Sequence, residues 1–166
     1  MTKEEISQWI RKTGQIEDPY IGKNAPRFRL QFHAPEKYGT IECFVRCFLS
    51  EAVAGGDILM VVVDSEPSED SQRYIHEAMR FFHGEKRSVE VAPGYLVGVE
   101  ETEKAIALFT LTSCFGWKSY LYGSNEQVVL HNWEGEIFDV WTRSDERKRV
   151  VESILKNFKL KEVTEL

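Results

Sequence analysis

The stretch VVLHNWEGEIFDVWT, Val128 to Thr142, decides how this chain is read. Two runs rich in β-branched and aromatic residues flank a Glu134-Gly135 pair, the mark of a hairpin. A third such run, WKSYLYG, precedes them across GSNEQ, so the three predict an antiparallel meander. With Glu134-Gly135 as a two-residue turn, Trp133 pairs with Glu136, His131 with Phe138 and Val129 with Val140. Val128, Leu130 and Asn132 then share the other face with Ile137, Asp139 and Trp141. In that register Trp133 and Trp141 point to opposite faces. Both faces are largely apolar, so the sheet is either covered on both sides or covered on one and used on the other.

Two readings of the meander follow. In one, Tyr120, Tyr122, Trp133 and Trp141 form an aromatic wall for a ligand or partner, with His131 and Asp139 among them. In the other they are cross-strand packing residues, because aromatic and β-branched side chains favour sheets anyway. The packing reading needs fewer assumptions. Asp139 fits neither comfortably: a buried carboxylate requires a partner or a raised pKa.

Working outward, TKEEISQWIRKTG reads as a helix capped by Thr2 and Glu5, with Ile6, Trp9 and Ile10 on one face and Gly14 as its stop. Gln15 to Pro26 reads as a loop. RFRLQFH alternates strictly, placing Phe28, Leu30 and Phe32 opposite Arg29, Gln31 and His33. Ile41, Phe44, Val45, Phe48 and Leu49 make a helical stripe that ends at Gly55-Gly56. DILMVVVD is a valine-rich run of the kind covered on both faces. The next helix places Tyr74, Ile75, Ala78, Met79 and Phe82 together as its inner stripe. SVEVAPGYLVGV reads as a hairpin around Pro93-Gly94, and the apolar segment from Ala105 to Gly116 as a core helix. Ser144 caps a last helix whose inner face is Val150, Val151, Ile154, Leu155 and Phe158. The expected fold is a single α+β domain spanning 1–166, a mainly antiparallel sheet with about five helices.

Composition bounds the function. At 166 residues, 42% hydrophobic and 12% aromatic, the chain is long enough to bury its own core. Its longest apolar run, Ile58 to Val63, is strand-sized, and its start lacks the pattern of a signal peptide. Three cysteines without framework spacing point to reduced thiols and a cytoplasmic setting. The net charge of -6 argues against non-specific nucleic-acid binding. Charge is also uneven: Glu51 to Glu77 holds seven acids against Arg73 alone, while Arg143 to Lys161 holds seven bases and three acids. An acidic stretch of that kind can steer a basic protein partner.

Candidate chemistry is sparse. Asp64 ends the valine-rich strand, and with Glu66, Glu69 and Asp70 it offers oxygens to a cation or a surface to a partner. The simpler account is that acids at a helix start complement its dipole. Cys43 and Cys47, at i and i+4, could join His33 or Cys114 around zinc, yet there is no CxxC pair. Cys114 could serve as a nucleophile only if a histidine approached it. GxSxG, P-loop, HExxH and GxGxxG motifs are absent. No metal or cofactor is therefore expected. The composite is a small acidic α+β domain without a catalytic signature, a type that includes proteins neutralising basic toxins. The expectation is a non-enzymatic protein-binding module. The alternative is a small enzyme built around Asp64, His131, Asp139 or Cys114.

Overall fold

The computed structural model describes residues 1–15, 26–64, 70–82, 84–124 and 128–163, with Asp64 described by its backbone. In chain order the elements are α1 (Lys3–Thr13), β1 (Phe28–His33), α2 (Tyr38–Phe48), β2 (Ile58–Asp64), α3 (Asp70–Phe82) and β3 (Gly94–Val97). There follow α4 (Thr102–Cys114), β4 (Lys118–Gly123), β5 (Val128–Trp133), β6 (Ile137–Thr142) and α5 (Asp145–Asn157). The six strands form one sheet in the order β1-β6-β5-β4-β2-β3, antiparallel at every pairing. The α+β class, the C-terminal meander and the five helices agree with the sequence reading. The expected hairpin around Pro93-Gly94 does not form: Gly94–Val97 pairs with β2, and the residues before it turn.

The caps explain the ends of α1 and α5. Thr2 accepts from the Glu5 amide, Glu5 reaches back to Thr2, and Gly14 at φ 68 closes α1. Ser144 accepts from the Arg147 amide at the head of α5. On one side of the sheet, α2, α4 and α5 pack on the alternating inward residues of the strands. Phe32, Phe44, Phe109 and Phe138 meet there ring to ring at 5.5 to 6.0 Å. Val151, Ile154 and Leu155 bring α5 into the same core. On the other side Ile6 and Ile10 of α1 rest on Leu59, Val61, Tyr122, Val129 and Trp141. The sheet is thus covered on both faces, the first of the two alternatives that its apolar character left open.

The meander departs from its expected register by one residue. Trp133 pairs with Ile137, His131 with Asp139 and Val129 with Trp141. The connection has three residues, with Glu134 at φ 53 and Gly135 at φ 79. Asn132 favours this geometry by accepting from the Gly135 amide at 2.8 Å, while its Nδ2 donates to the Trp117 carbonyl at 2.7 Å. Gly135 lies so close to the end of α4 that a Cβ there would sit 2.2 Å from the Ser113 carbonyl oxygen. A one-residue slip moves a whole strand's side chains to the opposite face. Trp133 and Trp141 therefore share a face, contrary to the two-residue register.

A second departure concerns α3. Its buried residues are His76 and Arg80. Tyr74, Ile75, Ala78 and Phe82, read from sequence as an inner stripe, face solvent together with Phe81, and Met79 is half-buried. Four of the five expected members do share a face, but it points outward and includes Phe81, while Met79 turns toward the core.

Candidate functional site

The corrected register gathers most of the singled-out residues onto the face covered by α1. Across the sheet, Tyr120 of β4 stands opposite His131 of β5, and His131 opposite Asp139 of β6. The His131 ring lies on Tyr120 at 4.1 Å and 8°, with Trp133 at 4.6 Å and Trp141 at 5.4 Å. Tyr120 also meets Tyr122 and Trp141, each at 5.8 Å. These are the direct and diagonal neighbours that a pleated sheet makes available on one face.

Asp139 sits at the centre and is fully buried. The Trp133 indole N–H donates to its Oδ2 at 2.6 Å. Arg29, opposite Trp141 on β1, reaches diagonally to both carboxylate oxygens at 3.3 to 3.4 Å. His131 Nδ1 stands 3.9 Å from Oδ2, beyond hydrogen-bond length. A buried carboxylate is tolerated when it is paired and hydrogen-bonded, and these contacts supply both conditions. Asp139 thus ties β1, β5 and β6 together from beneath the aromatic layer. The Arg29 guanidinium was not anticipated from sequence. The alternation of RFRLQFH placed it on the right face, but only the strand order brings it beside β6.

Burial separates this cluster from an open binding wall. Tyr122, His131, Asp139 and Trp141 are buried, whereas Tyr120 and Trp133 are half-buried. A cleft of about 280 Å³ between α1 and β2 reaches Tyr120 and Tyr122, with Ile6, Ile10, Val61 and Pro93 among its walls. Lys118 lies 5.9 Å from the centre of the Trp133 ring and forms an ion pair with Glu134 at 3.0 Å, covering the open end of the cluster.

Among the other described candidates, Asp70, Cys43, Cys47 and Cys114 stand outside this cluster. Asp64 is opposite Lys118 at the end of β2; Glu66 and Glu69 lie outside the described residues, and Asp70 is exposed in the first turn of α3. The sheet is antiparallel, so the crevice argument for Asp64, which holds for parallel sheets, does not apply. Among the described residues no three His, Cys, Asp or Glu side chains stand close enough to hold a metal ion. Cys43 is exposed, and Cys47 donates to Glu51 at 3.1 Å. Burial, helped by Glu51, pushes the Cys47 thiol up to about 11, and burial also raises Cys114. That is the opposite of what an activated thiolate needs. No helix among the described residues is long and apolar enough to cross a membrane.

A second polar group was missed entirely. His76 and Arg80, one turn apart on α3, are buried, with the His76 ring 5.0 Å from that of Trp117. Arg80 donates through Nη2 to the Ala92 carbonyl. Burial, and secondarily Arg80, lowers the His76 pKa from 6.5 to about 4. Their i, i+4 spacing is visible in the sequence, but polar side chains at that spacing are the ordinary pattern of a solvent-facing side.

No family model, curated protein or solved structure matches the chain.

Two outcomes are expected. In a denaturant titration Trp141→Ala should cost about 3–5 kcal/mol, as for a fully buried ring. Trp133→Phe, which removes the N–H to Asp139 together with part of the ring, should cost about 1–3 kcal/mol; parental stability in both would contradict the packed cluster. The second outcome concerns pH. The unfolded chain takes up a proton at His76 near pH 6.5 and the folded chain only near 4. This contribution is therefore fully present above pH 6.5, is lost as pH falls toward 4, and amounts to roughly 3 kcal/mol at most. His76→Gln should flatten that part of the stability profile, and an unchanged slope would show that His76 is solvated.

Proposed function

We propose that this chain is a non-enzymatic protein-binding module that docks through the outward face of α3, with a charge that favours basic proteins as targets. One observation carries the reading. Tyr74, Ile75, Ala78, Phe81 and Phe82 form a single apolar stripe on α3, and it faces solvent, with Tyr74 73% and Phe82 84% exposed. Apolar patches of this kind on a folded surface mark interaction sites. The same helix buries a histidine and an arginine instead of its rings, an arrangement at odds with core formation alone.

Charge supports the basic target. Glu51 to Glu77, the stretch that includes most of α3, holds seven acids and one Lys or Arg, and the whole chain carries -6. Opposite charge speeds encounter and suppresses wrong partners more than it adds affinity. An enzymatic reading around Asp64, His131, Asp139 or Cys114 has less support. His131 and Asp139 are buried among rings, and burial raises the Cys114 thiol. A catalytic group needs access to its substrate.

The reading is tested by truncating the stripe in dilute solution. Tyr74→Ser and Phe82→Ser should each change stability by less than about 0.5 kcal/mol, as for surface positions. Binding of an apolar fluorescent dye such as anilinonaphthalene sulfonate should fall by about half or more in the double variant. A loss of about 3 kcal/mol or more would show that these rings are packed, and the docking reading would fail.

A further inference from the structure

The stripe on α3 has an internal symmetry. Positions 74, 75, 78, 81 and 82 are arranged evenly about Ala78: Tyr74 and Phe82 lie four residues either side, and Ile75 and Phe81 three. A helix laid antiparallel across an identical helix meets it in this way, residue i against j and j against i. From this, and resting on the reading of α3 as a docking face, we infer that the stripe is covered by α3 of a second copy of the chain, in an antiparallel, two-fold pairing.

In that pairing Tyr74 faces Phe82 of the second copy, Ile75 faces Phe81, and the two Ala78 residues meet at the axis. The small side chain at the axis lets the helices approach closely, and the aromatic rings close over both ends. Antiparallel packing also sets the positive end of each helix dipole beside the negative end of the other. The stripe supplies most of the area that a weak pair of chains requires. Tyr74, Ile75, Phe81 and Phe82 are 73%, 49%, 59% and 84% exposed. With about 150–250 Å² per aromatic side chain, they present roughly 500 Å² of apolar surface. Two copies would bury roughly 1,000 Å² from the stripe alone, against the roughly 1,200 Å² or more of a stable interface. Beside the stripe, Met79 lines a groove of about 310 Å³ with Ile106, Ala107 and Leu111 of α4. Each copy therefore has a recess next to its ridge, apolar on the α4 side and flanked by Glu42 and Glu103.

Charge opposes this pairing, and that gives it a signature. Each chain carries -6, so the copies repel beyond the apolar contact. Raising salt from about 0.01 to about 1 M shortens the screening length from about 30 to about 3 Å. Self-association should then tighten, whereas binding of a basic protein should weaken. A basic target and the second copy would compete for the same stripe, and salt shifts that competition toward self-association.

The experiment is sedimentation equilibrium on the full chain, its Tyr74→Lys and Phe82→Glu variants, and an equimolar mixture of the two variants. Circular dichroism of each chain monitors folding. The expected result is a dimer of the parent chain that tightens with salt. Each variant alone should be folded and at least roughly tenfold weaker in self-association. The mixture should regain association, because the lysine introduced in one variant would face the glutamate introduced in the other, while the second Tyr74–Phe82 contact stays intact. A parent dimer whose variants still dimerise, or a mixture that stays monomeric, overturns the antiparallel pairing. A monomeric parent chain that still binds apolar dye in a Phe82-dependent way overturns the second copy as occupant, yet leaves α3 as a docking face for another protein. A monomeric parent chain without such binding removes both readings.

Discussion

The turn at Gly135 is the constraint on which the rest of the structure depends. A residue with a Cβ would collide with the Ser113 carbonyl at the end of α4, and the backbone there is left-handed. The Asn132 side chain accepts from the Gly135 amide of the turn and is itself held by donating to the Trp117 carbonyl. This fixes three residues in the connection and hence the register of β5 against β6. Every consequence for the candidate site follows from that count. With two residues, Asp139 would lie among the core phenylalanines and Trp141 away from Trp133. With three, they share a face with Tyr120, His131 and Arg29, and the carboxylate finds its partners.

The two faces of the sheet are then stabilised by different physics. The face under α2, α4 and α5 is an ordinary apolar core in which phenylalanine rings pack edge to face. The face under α1 is amphipathic: rings surround a buried charge whose cost is offset by Trp133 and Arg29. Such a centre is tolerated because its geometry is specified by the register on either side of it. It also explains why the residues that look most chemical in the sequence act as a structural clamp. Their functional groups are turned toward one another.

Much of this fold was legible in the sequence because caps and periodicity are local. Thr2 with Glu5, Gly14, and Ser144 marked helix ends that the structure keeps, and the alternation in Phe28–His33 assigned both faces of β1. What was not legible depends on contacts distant in sequence. A Glu-Gly pair is compatible with two turn lengths, and the choice lies in the approach of Ser113 and the Asn132 side chain. Arg29 and Asp139 are 110 residues apart and meet only because β1 adds beside β6. For α3 the periodic pattern grouped Tyr74, Ile75, Ala78 and Phe82 correctly, but it misplaced Met79, left out Phe81 and assigned the wrong direction. Periodicity says which residues share a face, while the face that meets the core is decided by what the core can accept. Here it accepts His76 against Trp117 and Arg80 against the Ala92 carbonyl, and leaves the rings outside. The loop read from Gln15 to Pro26 falls mostly on residues 16–25, outside the described ones.

The proposed docking through α3 rests on rings that the helix exposes, and the hairpin register turns His131 and Asp139 toward one another beneath the aromatic layer. That register is therefore the claim to measure first. Through-space proton contacts across the hairpin in solution read it directly. The account predicts cross-strand contacts between His131 and Asp139 and between Val129 and Trp141, with the Trp133 indole proton near the Asp139 side chain. Contacts pairing His131 with Phe138 and Val129 with Val140 would contradict it, return Trp133 and Trp141 to opposite faces, and dissolve the clamp.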